Sequence, residues 1–94
     1  MDLQAILIEL AEEHLDSMRR VPWDAHARSI RRRWPASAGE TFGCEIDGIY
    51  FDIGDNARWV DALDGDILLI AHATNPDGVN PERVERSVII PRPA

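Results

Sequence analysis

The chain has 94 residues, with ten basic residues against seventeen acids, a net charge of −7, 45% hydrophobic residues and 29% charged ones. Such a composition suits one globular domain and excludes a disordered chain, and the negative field works against broad attraction to nucleic acid or anionic membrane. A lone cysteine excludes an internal disulfide, and the sequence has neither an apolar run of about 18 residues nor a basic signal-type start. These features fit a small cytoplasmic protein with no membrane span. All ten basic residues are arginine, a usage that points to a GC-rich bacterial or phage genome.

Residues 1–20 read as a helix. Leu3, Ile6, Leu7, Ile8, Leu10, Ala11, Leu15 and Met18 fall on one broad arc of the helical wheel, and Asp2, Glu9, Glu12, Glu13 and Asp16 fill the rest. Asp2 is placed to cap the start, Arg19 and Arg20 suit the C-terminal end, and Asp16 with Arg20 makes an i,i+4 pair. Val21 before Pro22 ends the helix. The width of the arc predicts contact with two neighbours, or a strip left over for a second copy of the chain. His14, inside the arc, reads as a hydrogen-bonded core or interface histidine.

Pro22 opens a second predicted helix that runs to Trp34, where Pro35 closes it. Trp23, Ala27, Ile30 and Trp34 make a narrow apolar seam, with Arg28, Arg31 and Arg32 on the far side. Residues 36–41 are a small-residue loop.

The stretch Phe42 to Ile53 organises everything else. Asp47-Gly48 suits a two-residue type I′ turn, which sets Ile46 opposite Ile49, Cys44 opposite Phe51 and Phe42 opposite Ile53. All six then share one apolar side, while Glu45 with Tyr50 and Gly43 with Asp52 occupy the other. Something has to cover the apolar side.

Gly54-Asp55-Asn56 reads as a turn. Residues 57–64 fit a short helix somewhat better than a strand: Asn56 can cap it, Trp59, Val60 and Leu63 share a face, and Gly65 follows. Residues 66–74, with the apolar run Ile67 to Ala71, form a central strand. Asn75-Pro76-Asp77-Gly78 opens a polar loop to Pro81, and Val84 to Ile90 makes a last strand stopped by Pro91 and Pro93. The predicted fold is therefore a single α+β domain, with two N-terminal helices on one face of an antiparallel sheet of about four strands.

Chemistry is less legible than fold. Residues 40–77 hold nine acids against Arg58 alone, while Arg19, Arg20, Arg28, Arg31, Arg32 and Arg33 gather between the acid-bearing residues 1–18 and that stretch. The acidic set Glu45, Asp47, Asp52, Asp55, Asp61, Asp64 and Asp66 suggests a surface that docks a basic protein, set against simple solvation. Asp61, Asp64 and Asp66 lack the spacing and closing glutamate of a calcium loop. Arg28, Arg31 and Arg32 offer an alternative face for phosphate or an acidic partner, set against internal pairing with the acids. His14, His26, His72 and Cys44 show no zinc-type spacing. Cys44 beside Phe51 reads as a covered small hydrophobe more readily than as a nucleophile.

The leading expectation is thus a non-enzymatic interaction module, such as an inhibitor, antitoxin-like protein or adaptor, that needs no cofactor. A nucleic-acid or acidic-partner binder is the alternative, and a ligand-binding protein or enzyme with a pocket near Cys44 and a histidine is the third reading.

Overall fold

The computed structural model describes residues 2–31, 38–77 and 82–94. In chain order these form α1 (Leu3–Arg19), α2 (Trp23–Arg31), β1 (Thr41–Ile46), β2 (Ile49–Trp59), β3 (Ile67–Thr74) and β4 (Arg83–Ile90). The strands make one antiparallel sheet in the order β1-β2-β3-β4. Both helices lie on one face of it, which is the α+β arrangement expected from the sequence.

The hairpin has the expected register. Asp47 and Gly48 both take positive φ, 51° and 81°, and the pairs Ile46–Ile49, Cys44–Phe51 and Phe42–Ile53 follow. Asp2 caps α1 by accepting a hydrogen bond from the Ala5 N–H at 3.2 Å. Asp16 pairs with Arg19 rather than the expected Arg20. Arg20 is the C-cap, where its own N–H returns to the Asp16 carbonyl.

Two expectations after the hairpin are corrected. Gly54, Asp55 and Asn56 are not a turn but the middle of β2, an eleven-residue strand. Residues 57–59 continue that strand and pair with Leu69, Leu68 and Ile67, and residues 60–65 are turns and bends. Here tertiary pairing overrides local signals, because Ala57 and Trp59 are needed on the covered face. The second helix is described only as far as Arg31. Its predicted last turn, including Arg32, Arg33 and Trp34, falls outside the described residues, as does the segment from Gly78 to Pro81.

The helix-facing side of the sheet consists of rows of directly paired residues. Phe42, Ile53, Ala73 and Val84 form one row, Asp55, Ala71 and Arg86 the next, and Ala57, Leu69 and Val88 the one after. Apolar clusters lie on either side of the Asp55–Arg86 row. Leu7 and Ala11 of α1 pack on Phe51, Ala73 and Val84 towards the hairpin turn. Met18 with Ala27 and Ile30 of α2 packs on Trp59, Ile67 and Leu69 towards the other end. The helices therefore follow one another along the sheet, giving an elongated body of 45 × 21 × 18 Å. Among the described residues no helix is long and apolar enough to cross a membrane.

Candidate functional site

The polar row between the two clusters is where the helix side of the sheet departs from a plain core. Inward positions of β2 are otherwise Ile49, Phe51, Ile53, Ala57 and Trp59, so a carboxylate at 55 interrupts the pattern. Both of its oxygens are engaged. Oδ1 accepts the Glu40 N–H at 3.1 Å, and Oδ2 lies 2.7 Å from Nε2 of His14 on α1. The Asp55 N–H in turn donates to the Glu40 carbonyl at 2.9 Å, so the carboxylate stands in for one main-chain acceptor of the ladder. Residues 38–40 thereby extend the sheet edge past β1, with Ala38 and Ala57 exchanging both main-chain bonds. The His14 ring meets Phe42 edge-on at 5.3 Å. On the far flank of α1, Glu12 reaches Arg86 at 3.6 Å, which completes the row.

Beside His14 and Asp55 is a cleft of about 310 Å³ between α1, α2 and the segment 38–40. His26 also lines it, held by Nε2 at 2.8 Å from the Met18 carbonyl. Ser17, Ser29 and Glu40 add polar groups, while Met18, Val21 and Ala57 make its apolar part. Two histidines, His14 and His26, thus line this cleft. Cys44 is half-buried in the cluster nearer the hairpin turn and is not among the cleft residues. Among the described residues no group of three or more histidine, cysteine or acidic side chains is arranged to hold a metal.

The acidic set does not form one surface. Asp55 faces the helices and is bound to His14. Asp64 sits in the β2–β3 loop and is paired with Arg31 of α2, and Asp66 accepts the Arg92 N–H at 2.9 Å. Asp61 is exposed in the same loop, at the opposite end of β2 from Asp47. Glu45 and Asp52 remain together on the outer face of the hairpin, with Tyr50 between them.

That outer face has its own centre. The Tyr50 ring lies over Gly43, where any Cβ would collide with it, and the residue is 42% exposed. Asp52 is within hydrogen-bonding reach of the Tyr50 hydroxyl, and its charge and that of Asp77 push the phenol pKa above its usual value. One strand pair further along, the His72 ring covers Gly54 in the same way. Partial burial, then the nearby Arg83, lowers the His72 pKa from its ordinary value.

Of the arginine face, Arg31 is bound to Asp64 and its guanidinium lies 5.8 Å from the Trp23 ring centre; Arg28 is exposed and Arg32 lies outside the described residues. Sequence reasoning missed the Tyr50 cluster and the His14–Asp55 pair as sites. The first could have been found from the hairpin register, since Glu45, Tyr50 and Asp52 already shared a side. The second was hidden by reading 54–56 as a turn. No family model, curated protein or solved structure matches the chain.

Proposed function

We propose that the protein is a non-enzymatic interaction module that docks a basic protein surface through the outer face of its hairpin, centred on Tyr50. The single observation behind this reading is an exposed tyrosine held in place by Gly43 and Asp52 and surrounded by Glu45, Asp52 and Asp77. Tyrosine supplies a large contact area with little rotamer freedom to lose, and such residues recur at the energetic centres of interfaces. Acids around it favour an arginine- or lysine-bearing partner and speed the encounter. The net charge of −7 acts in the same direction over longer range. The arginine-rich alternative has less behind it, because Arg31 is already engaged by Asp64.

A fluorescent arginine-rich peptide is a suitable probe. At low salt it should bind saturably, Tyr50→Ala and Asp52→Arg should each weaken it by about tenfold, and Glu9→Arg on α1 should change little. No saturable binding at low salt, or equal weakening by Glu9→Arg, would remove the reading.

A further inference from the structure

The cleft beside His14 lies on the other face of the sheet from Tyr50, and its chemistry is self-consistent. We propose that it binds a small organic cation, an alkylamine or alkylguanidine. Each histidine has one ring nitrogen committed. Nε2 of His26 faces the Met18 carbonyl, which can only accept, so that nitrogen carries the proton. Nε2 of His14 faces the Asp55 carboxylate, an acceptor as well, and donates to it. In the neutral rings the remaining Nδ1 atoms are therefore acceptors. Two carboxylates, Glu40 and Asp55, line the cleft, and among its described lining residues there is no arginine. Carboxylates and ring-nitrogen acceptors around one space select a donor-rich, positively charged ligand over an anion.

The apolar part fixes the rest of the ligand. Met18, Val21 and Ala57 offer an alkyl-sized wall, and Ala38, Gly39, Ser17 and Ser29 are too small to fill the space between the helices and the sheet edge. A volume of about 310 Å³ stands at the small end of ligand sites, which suits a short chain with a charged head. If the His14–Asp55 pair served only to tie α1 to the sheet, small side chains around it would leave space that a larger apolar residue could have used for packing.

The test is a titration of the full chain with putrescine and agmatine, with glutarate and 1,4-butanediol as anionic and neutral controls. It is read by the ring resonances of His14 and His26 and by calorimetry. Both amines should move the two rings saturably, whereas glutarate and the diol should not. Glu40→Gln, at an exposed position, should weaken the amines by about tenfold or more, while Asp61→Asn, far from the cleft, and Tyr50→Ala should leave them unchanged. Absence of saturable shifts, equal shifts with the diol, or equal weakening by Asp61→Asn would overturn the proposal. The peptide experiment on Tyr50 is unaffected by any of these results.

Discussion

Arg31 in the last turn of α2 is ion-paired with Asp64, 33 residues away in the β2–β3 loop, and its guanidinium also lies near the Trp23 ring. Trp23 donates its indole N–H to the neighbouring Gly65 carbonyl at 3.0 Å. Together these contacts fasten α2 to the far end of the sheet. Both charged side chains are close to half exposed, so solvent screens the pair. Arg31→Ala and Asp64→Ala should each cost about 0.3–1 kcal/mol, with a coupling of similar size in a double-mutant cycle by urea unfolding. A coupling of zero at low salt would show that the ion pair adds nothing to the indole bond and the packing of Ala27 and Ile30.

Depth of burial orders the core substitutions. Phe51 and Leu7 are fully buried against each other's cluster, so alanine at either should cost about 3–5 kcal/mol. Leu10 shares the apolar arc with Leu7, but α1 sits mainly over β3 and β4, which leaves Leu10 half-buried and Phe42 46% exposed. Alanine at Leu10 or Phe42 should cost no more than about 1.5 kcal/mol. Denaturant midpoints of the four variants would check the ranking, and a Leu10 loss equal to that of Phe51 would contradict it.

Tyr50 is the chain's one tyrosine, so its ionisation can be followed by absorbance without interference. Hydrogen bonding to Asp52 and the charges of Asp52 and Asp77 favour the protonated phenol. Its midpoint should therefore lie above the ordinary value of about 10 and fall towards it in Asp52→Asn. A raised value on folding means that this contribution to stability is present below about pH 10 and is lost as pH climbs through the folded midpoint. An unshifted midpoint in the native protein would place Asp52 away from the hydroxyl.

His72 carries the opposite sign. Burial and Arg83 favour its neutral form, so the unfolded chain binds the proton more readily. The resulting stability is present above the unfolded value, about 6.5, and declines as pH falls through the lower folded value. In a proton NMR titration the His72 ring should titrate below a free histidine. Arg83→Gln should raise its midpoint, and Gly54→Ala, which pushes the ring off the sheet, should raise it further. No response to either variant would show that the ring is solvated.

Much of the architecture could be read from spacing. Asp47-Gly48 fixes a two-residue turn, and with it every pair from Ile46–Ile49 to Phe42–Ile53, because side chains alternate with a period of two. Helix α1 likewise follows from its periodicity and from the Asp2 cap. What misled was Gly54-Asp55-Asn56. Turn chemistry is local, whereas these residues are held in β2 by long-range pairing with Ala71, His72 and Ile70 and by His14 from above. Once Asp55 is assigned to a loop, its inward direction cannot be seen, and neither can the cleft beside it. The spread of the acids is hidden for a related reason: composition counts charges but does not say that Asp64 has Arg31 as a partner or that Asp47 and Asp61 are a strand's length apart.

The tryptophans at the far end of the sheet give the molecule an optical gauge of its own. Trp23 on α2 and Trp59 on β2 have ring centres 6.0 Å apart and planes tilted by 57°. At that separation the two excited states couple, and near-ultraviolet dichroism acquires a signature that neither indole would give alone. Lifting α2 from the sheet would erase it while leaving the strand ladder intact, so partial opening at this end can be followed without attaching a label.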